Sequence, residues 1–305
     1  MSLLRTDNVT KRFGRFTALN RVNIELNKGE IYGFIGPNGA GKSTTIRILL
    51  GMLKATKGTA NIFGMDAWRD AVAIHKRLAY VPGDVNLWPN LTGGEVIDLL
   101  LKLRGQKLNG KRDELIEMFN LDPTKKCRTY SKGNRQKVAL VAAFAADVDL
   151  YILDEPTSGL DPLMERIFQE QVLEAKDEGK SVLLSSHILS EVERLCDRVG
   201  IIRDGEIIET GTMDELRHLT RTRILVETNK PIAGLDELSG VHRLEKKEGA
   251  LSFQVDTDEL DSVIRHISEY GILKLESAPP TLEDLFMRHY KVVEDATDLG
   301  AGGAS

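Results

Sequence analysis

The sequence has little of what marks secreted or membrane-spanning proteins. It contains only 2 cysteines among 305 residues, Cys127 and Cys196. Their separation fits no metal-ligand spacing, so we expect reduced thiols rather than a disulfide or a catalytic site. The longest unbroken apolar run, residues 138–146, is far shorter than the roughly 20 residues that cross a bilayer. The first residues lack the apolar core of a secretory signal, so any membrane role must come through a partner.

The sequence also lacks an excess of positive charge. Its formal net charge is -5 and its pI is about 5.8. Proteins that bind DNA or RNA usually do so through basic surfaces that neutralise phosphates. The charge balance therefore argues against nucleic acid as a partner. The shares of hydrophobic residues (41%) and charged residues (29%) are those of an ordinary globular protein.

Short apolar runs rich in β-branched residues alternate with helical patterns over the first two thirds of the chain. The runs that predict buried strands are residues 31–35, 150–153 and 181–184. The predicted helices follow Lys42, Ser131, Leu163 and Leu189. This alternation indicates an α/β domain with a mostly parallel sheet. Residues 91–144 show no strand pattern and predict a helical insertion, which we place at about residues 88–145 of a first domain, 1–218.

The pattern changes after the first domain. The predicted order is βαββαβ, with strands at 224–227, 241–244, 251–255 and 272–275 and helices at 235–238 and 260–267. This order suggests a small α+β domain of ferredoxin-like type, which we place at residues 219–290. We predict a final helix at 281–290 and a disordered tail at 291–305.

The strongest local motif is an eight-residue loop between a predicted strand and a predicted helix. It consists of Gly36, Pro37, Asn38, Gly39, Ala40, Gly41, Lys42 and Ser43, which match the phosphate-loop pattern G-x-x-x-x-G-K-[ST]. Glycines let the backbone N–H groups approach phosphate oxygens closely. Lys42 brings a positive charge to the β- and γ-phosphates, Ser43 offers a hydroxyl to Mg²⁺, and the following helix, which includes Thr44, adds its N-terminal dipole. The motif predicts a nucleotide site.

Two further predicted strands end in polar groups. Residues 150–153 lead into Asp154 and Glu155, which strand alternation points in different directions. We expect Asp154 to hold Mg²⁺, directly or through water, and Glu155 to polarise the water that attacks the γ-phosphate. His187 follows residues 181–184, and an isolated histidine is more often structural. Because parallel strands bring their carboxyl ends to one sheet edge, we expect all three motifs to converge there, with His187 helping to position Glu155 and the water.

A further motif carries a family resemblance. Tyr130-Ser131-Lys132-Gly133-Asn134-Arg135-Gln136 opens a predicted helix between the phosphate loop and Asp154. Here residues 4–212 resemble the ATP-binding subunits of ABC transporters, whose signature has the form L-S-G-G-Q. Ser158-Gly159-Leu160-Asp161 and Ser186-His187 follow in the family order.

The resemblance implies a phosphate-loop NTPase core that works as a head-to-tail dimer. ATP would lie between the phosphate loop of one subunit and the signature of the other, with Ser131 as a helix N-cap beside the γ-phosphate. Gly133 would let that backbone come close, and Asp161 would lie at the dimer seam. Phe13 matches the family position whose ring stacks on adenine; ordinary core packing is its structural alternative.

The sequence departs from the family pattern at two places. Lys132 and Asn134 stand where the signature usually has Gly and Gln, and Lys132 would either add charge near the incoming phosphate or point to solvent. Gly83 stands where the family has a glutamine that ligates Mg²⁺, so either Asp84 or water would replace that ligand. Near it, Trp88 belongs either to a groove for a permease helix or to local packing.

These observations predict an ATP- and Mg²⁺-dependent ATPase subunit on the cytoplasmic face of the membrane. Its predicted partners are integral-membrane permease subunits and a second ATPase subunit, in a homodimer or a heterodimer. The chain after residue 218, with residues 280–286, resembles the extension of bacterial drug and antibiotic exporters, so we expect export of drug-like or lipid-like compounds. The alternatives are an ABC protein that works away from membranes, and a regulatory partner that binds ATP without turnover.

Overall fold

The computed structural model describes residues 2–106, 110–218, 221–247 and 250–278, which divide into two units, the first ending at Thr210 and the second beginning at Gly211. The strands of the first unit are β1 (Ser2–Phe13), β2 (Phe16–Asn27), β3 (Ile31–Ile35), β4 (Lys57–Ile62), β5 (Met65–Asp66), β6 (Leu78–Val81), β7 (Leu150–Asp154), β8 (Ser181–Ser186), β9 (Arg198–Arg203) and β10 (Glu206–Thr212), the last extending past the division. Its helices are α1 (Lys42–Leu49), α2 (Ala71–His75), α3 (Gly93–Leu103), α4 (Gly110–Met118), α5 (Lys132–Phe144), α6 (Pro162–Asp177) and α7 (Leu189–Leu195).

The predicted apolar strands form the middle of a six-stranded sheet with the order β10-β9-β3-β8-β7-β6. Parallel pairing joins β3 to β8 and β9, β7 to β8, and β6 to β7. Every residue of β3, β7 and β8 is buried, as expected for parallel strands that are covered on both faces. The predicted α/β fold with a mostly parallel sheet is confirmed.

A second sheet of the first unit is antiparallel, with the order β2-β1-β4-β5. One hydrophobic core includes residues of this sheet, of α1 and of the parallel sheet, among them Leu4, Leu26, Phe34, Ile46 and Ile152. Burial of these side chains from water is the main favourable contribution to this packing. The core therefore fixes α1, and with it the end of the phosphate loop, against both sheets.

The predicted helical insertion contains α3, α4, a 3-10 turn at Cys127–Thr129 and α5. Among its described residues the structure has no β-strand, only an isolated bridge between Thr92 and Lys126. Thr92 caps α3: its hydroxyl accepts a hydrogen bond from the backbone N–H of Glu95, whose carboxylate accepts one from the backbone N–H of Thr92. This reciprocal pair satisfies backbone donors that the first helical turn leaves unpaired.

The second unit contains α8 (Met213–His218), β11 (Thr222–Thr228), β12 (Val241–Lys247), β13 (Ala250–Val255), α9 (Leu260–Ser268) and β14 (Ile272–Ala278). Its sheet has the order β12-β13-β11-β14 with antiparallel neighbours. Ile224, Phe253, Val263 and Ile267 belong to its core. The strand order and the helix before the last strand match the predicted ferredoxin-like arrangement.

The predicted helix at 235–238 is wrong, because this segment forms turns. Gly234 and Gly240 flank it with φ values of +69° and +81°, and the residues between them are too few to offset the cost of starting a helix. Leu235 nevertheless reaches the core and is 1% exposed. The apolar residues of this segment therefore indicated burial, while the helical period did not hold.

The structure bears on the predictions for the cysteines and the domain boundary, but not on the predicted C-terminal helix and tail. Cys127 and Cys196 are buried free thiols. The predicted domain boundary after residue 218 lies at the end of α8, later than the division after Thr210. The predicted helix at 281–290 and tail at 291–305 lie outside the described residues. None of the helices in the described parts of the chain is long and apolar enough to cross a bilayer.

We expect Thr92→Ala to lower the free energy of unfolding by about 1 kcal/mol, because the substitution removes an N-cap side chain. Chemical denaturation measures the change. Ser190→Ala, an exposed substitution on α7, serves as the control. Equal stability of the two variants would contradict a stabilising capping box at α3.

Candidate active site

The phosphate loop leaves β3 at Gly36 and enters α1 after Gly41. Gly39 and Gly41 have φ values of +83° and +115°, in the left-handed region that favours glycine. A Cβ atom at Gly36 would lie 2.3 Å from the carbonyl oxygen of Ile202 on β9. The loop therefore needs glycine at its first position for close packing and at later positions for its backbone turn.

Lys42 occupies the first turn of α1 and is only 6% exposed. Its Nζ donates hydrogen bonds to the carbonyl oxygens of Gly36, at 2.5 Å, and Pro37, at 3.3 Å. The same Nζ lies 3.5 Å from Oε1 of Glu155. A buried ammonium is stable only when charged or polar groups surround it. Lys42 is thus held across the mouth of the loop with a carboxylate beside it.

Glu155 follows β7 in a strained backbone conformation. Its φ is +51°, which is uncommon for a residue other than glycine and clusters at functional sites. Its backbone N–H donates to the carbonyl oxygen of Ser185 at 2.8 Å. Its Oε2 contacts Nδ1 of His187, whose side chain is largely exposed. The structure therefore brings Lys42 and His187 together around the carboxylate of Glu155.

Asp154 is a buried carboxylate at the end of β7. Burial is the main cause that raises its pKa, the nearby Ser185 and Ser43 hydroxyls lower it, and the charge of Glu155 raises it. Its Oδ1 is buried without a hydrogen-bond partner in the part of the chain that the structure describes. A buried acceptor without a donor is costly, so this atom is suited to a cation.

These groups line one cleft of about 490 Å³, within the usual range for small-molecule sites. The residues that line it are Pro37, Asn38, Gly39, Gly41, Lys42, Ser43, Thr44, Arg47, Tyr80, Pro82, Gly83, Asp84, Asp154, Glu155, Ser158 and His187. Of the predicted loop residues, Gly36 and Ala40 do not line the cleft. The predicted positions Phe13, Ser131, Gly133 and Asp161 do not line it.

The sequence-based prediction missed several residues of the cleft wall. Arg47 lies on α1 four residues after Ser43, so both occupy the same helix face. The four-residue spacing could therefore have predicted Arg47 as a second positively charged side chain beside the phosphate site. Tyr80 lies on β6, a strand that we had not predicted, and burial raises its pKa to about 12. Its phenol is therefore a neutral hydrogen-bonding group at ordinary pH.

The signature motif contacts the loop that follows Glu155 in the same chain. Ser131 caps α5 by accepting from the backbone N–H of Asn134 at 3.3 Å. A Cβ atom at Gly133 would lie 2.4 Å from the carbonyl oxygen of Gly159. Lys132 Nζ donates to Oγ of Ser158 at 2.7 Å. The charge of Lys132 is therefore directed to a hydroxyl that lines the cleft.

Two other predicted positions have local structural roles. Asp161 caps α6, because its Oδ1 accepts hydrogen bonds from the backbone N–H groups of Leu163 and Met164, both at 3.1 Å. Phe13 is 50% exposed, with Nζ of Lys11 5.0 Å from its ring centroid. The core-packing alternative for Phe13 is therefore wrong. Its ring is available to a ligand.

The structure also shows the surroundings of Gly83, where the sequence departs from the family glutamine, and of its neighbours Asp84 and Trp88. A Cβ atom at Gly83 would lie 3.1 Å from the carbonyl oxygen of Asp154 and 3.2 Å from Cβ of Glu155. Gly83 therefore packs closely on the acidic pair. Asp84 lines the cleft beside it, and Trp88 is 51% exposed. Local packing does not bury Trp88.

Comparison with known proteins agrees with this geometry. Residues 19–158 match the ABC transporter family, and residues 211–290 match the C-terminal domain of DrrA1-3-like ATP-binding proteins. The bacitracin transport ATP-binding protein BcrA of Bacillus licheniformis is 32% identical over 308 residues, covering 94% of this chain and 97% of that protein. The linearmycin resistance ATP-binding protein LnrL of Bacillus subtilis is 31% identical, covering 93% of this chain and 97% of its own length.

Solved structures show the same likeness over about 70% of the chain. An ATP-binding subunit of an ABC transporter superposes with a TM-score of 0.67 and 33% identity, covering 71% of this chain and 92% of that one. A post-hydrolysis dimer of an ATP-binding cassette, bound to ADP and Pi, superposes with a TM-score of 0.64 and 26% identity, covering 69% and 98%. The chain belongs to the ATP-binding proteins of ABC transporters, and it is an ATPase subunit of that family that binds nucleotide.

We expect Lys42→Ala to raise the Kd for ATP by more than about tenfold, because hydrogen bonds to charged groups are worth about 1.5–3 kcal/mol each. Titration with a fluorescent ATP analogue measures the change. Lys28→Ala, at an exposed lysine that does not line the cleft, is the matched control. An unchanged Kd in Lys42→Ala would contradict the phosphate cradle.

Proposed function

We propose that this chain hydrolyses ATP in the described cleft and thereby powers a separate membrane permease that exports drug-like compounds. The observation that carries the proposal is the placement of Lys42 and His187 around the carboxylate of Glu155 at the mouth of the phosphate loop. Phosphoryl transfer needs little covalent help from a protein. Positioning and charge stabilisation supply most of the catalysis.

Each group of the cleft has a defined part in the proposal. Backbone N–H groups of the loop and the N-terminus of α1 bind the phosphates, and Lys42 exchanges Glu155 for the β- and γ-phosphate oxygens when ATP enters. Glu155 is then free to accept a hydrogen bond from the attacking water. His187 orients Glu155 and reaches the γ-phosphate with its other ring nitrogen. Phe13, which does not line the cleft, supplies the exposed ring on which adenine stacks.

The residues present fit a magnesium ion. Hard cations prefer oxygen ligands, and Mg²⁺ usually takes one or two protein oxygens together with phosphates. Asp154 Oδ1 is buried without a partner among the described residues, and the Ser43 hydroxyl lies near the same carboxylate. The described residues contain no cluster of three or more His, Cys, Asp or Glu side chains suited to a metal. Phosphate oxygens would therefore complete the coordination, and the ion would neutralise charge on the β- and γ-phosphates.

The signature residues support a dimer in which two chains share each nucleotide. ABC cassettes of known structure include dimers. Ser131 and Gly133 lie at the N-terminus of α5, where backbone N–H groups and the helix dipole attract a phosphate. We assign these residues to the nucleotide that the partner's phosphate loop holds. Asp161, in the loop between Glu155 and α6, would lie at the seam. ATP would close this dimer, and loss of phosphate would open it.

The two departures favour a modified coupling rather than loss of activity. Lys132 is directed to Ser158 at the cleft wall, so its charge joins the signature helix to the loop after Glu155. Gly83 removes a side-chain ligand, and Asp84 lines the cleft next to it as a replacement acceptor. Glu155 and His187 remain in contact. This contact supports turnover over the alternative of a regulatory partner that only binds ATP.

The class of substrate is inferred from the relatives. BcrA and LnrL carry the names of bacitracin transport and linearmycin resistance, and the match extends through the second unit. We therefore assign this chain to an exporter of antibiotic-like amphiphilic compounds, with its permease in the membrane and the ATPase at the cytoplasmic face. The exposed Trp88 is a candidate contact for the permease.

We expect Glu155→Gln to retain ATP binding while lowering kcat by at least about a hundredfold, because general-base assistance contributes 10²–10⁴-fold. Trapped ATP should also favour a stable dimer. Steady-state ATPase rates, ATP titration and size-exclusion chromatography with ATP measure the three effects. Glu170→Gln, an exposed Glu on α6, is the control. Full ATPase activity in Glu155→Gln would rule out the role of Glu155.

Export is tested by joint expression with candidate membrane permeases in a drug-sensitive host. We expect the chain to reach the membrane fraction and to raise resistance to amphiphilic antibiotics only when its permease is present. Glu155→Gln should reach the membrane without raising resistance, because hydrolysis is the energy source. Resistance that is equal with the two versions of the chain would contradict an export function that depends on ATP hydrolysis.

A further inference from the structure

Glu191 is a buried acidic residue that the mechanism above does not use. It lies in the first turn of α7 and is 4% exposed. The other buried residues of this short helix are Val192 and Leu195. A carboxylate on the apolar face of a helix is costly unless its environment satisfies it.

One oxygen of Glu191 holds the turn that carries His187. Ser186 Oγ donates to Glu191 Oε2 at 2.7 Å, and the same hydroxyl accepts from the backbone N–H of Ile188 at 3.0 Å. Ser186 and Ile188 are the two neighbours of His187 in the chain. The carboxyl group therefore fixes the residues on both sides of the imidazole that contacts Glu155.

Glu191 also faces the turn that carries Glu155. The hydroxyl of the buried Thr157 lies near the Glu191 carboxyl group and lowers its pKa. In that turn, the backbone N–H of Ser158 donates to the carbonyl oxygen of Glu155 at 3.2 Å. The other oxygen of Glu191, Oε1, is buried without a hydrogen-bond partner in the described ranges. The side chain thus lies between the two turns that bring the catalytic groups together.

We propose that Glu191 is a positioning residue for ATP hydrolysis, which holds the His187 turn and the Glu155 turn in register through Ser186 and Thr157. This inference rests on the proposed ATPase mechanism. Glu191 does not line the nucleotide cleft, so its effect reaches ATP only through His187 and Glu155. Its removal should therefore lower kcat more than it weakens nucleotide binding.

The protonation state of Glu191 gives a second readout. Burial raises its pKa from 4.5 to about 7, the Ser186 and Thr157 hydroxyls lower it, and the charges of Glu165 on α6 and of Glu155 raise it. Burial is the main cause that raises the pKa of the Cys196 thiol, and the charge of Glu191 raises it further. The strands β3 and β8, which also contact α7, carry no Asp, Glu, His, Lys or Arg.

The direction of the pH effect follows from that raised pKa. The fold favours the neutral carboxyl group, whose contribution is complete below pH 4.5 and is lost as the pH rises through about 7. Above this range an ionised Glu191 places a buried negative charge near the carboxylate of Glu155. We therefore expect thermal stability to fall as the pH rises from 4.5 to about 7, and kcat to decline as the pH rises through about 7.

The test compares Glu191→Gln and Glu191→Leu with the unsubstituted chain and with Glu170→Gln. For each variant, kcat, KM for ATP, the Kd of a fluorescent ATP analogue and Tm are measured from about pH 5 to about pH 8, which spans most of the range over which Glu191 ionises in either state. We expect Glu191→Leu to lose about tenfold to a hundredfold in kcat, with Kd within about twofold. Glu191→Gln keeps the acceptor for Ser186, so it should retain kcat and lack the decline at high pH.

Two outcomes would overturn this proposal alone: an unchanged kcat in Glu191→Leu, or the same decline with pH in Glu191→Gln as in the unsubstituted chain. If Glu191→Leu does not fold, the pH profile of Glu191→Gln decides. A chain without ATPase activity at any pH would contradict the proposed function. Loss of turnover in Glu155→Gln with full turnover in Glu191→Leu would leave the proposed function intact.

Discussion

The parallel pairing of β3, β8 and β7 is the constraint on which the rest of the site depends. Ile35 pairs with Ser186, and Asp154 pairs with Ser185, so the three strands end at the same level. Parallel strands bring their carboxyl ends to one edge of a sheet. A phosphate loop, an acidic pair and a histidine that are far apart in the chain thereby meet without any long connection reaching into the cleft.

Close backbone packing and local strain complete what the sheet begins. Gly36 approaches β9 and Gly133 approaches the loop at Gly159, so neither position has room for a Cβ atom. Glu155 takes a left-handed backbone conformation, which costs of order 1–3 kcal/mol unless its surroundings enforce it. Its hydrogen bond to Ser185 and its contacts with Lys42 and His187 offset that cost. This backbone conformation directs the carboxylate of Glu155 toward Lys42 at the end of the phosphate loop.

The sequence predicted the parallel core and the convergence of its motifs because buried strands give continuous apolar runs, and because the phosphate loop has fixed spacing. It did not predict β1 and β2, whose alternation is interrupted where Asn8 and Arg21 have positive φ values and the strand register shifts. Glu191 was missed because its importance depends on contacts with Ser186 and Thr157 that no sequence period shows. The helix at 235–238 failed because Leu235 is buried by a turn, which has no helical period.

The most direct test of the central claim is a crystal structure of the chain with Mg²⁺ and a non-hydrolysable ATP analogue. The account predicts that the γ-phosphate lies between Lys42, Glu155 and His187, with the ion next to Ser43 and Asp154. Lys42 Nζ should leave its contact with Glu155 and bind phosphate oxygens. A nucleotide bound elsewhere, or a γ-phosphate out of reach of all three side chains, would contradict the account.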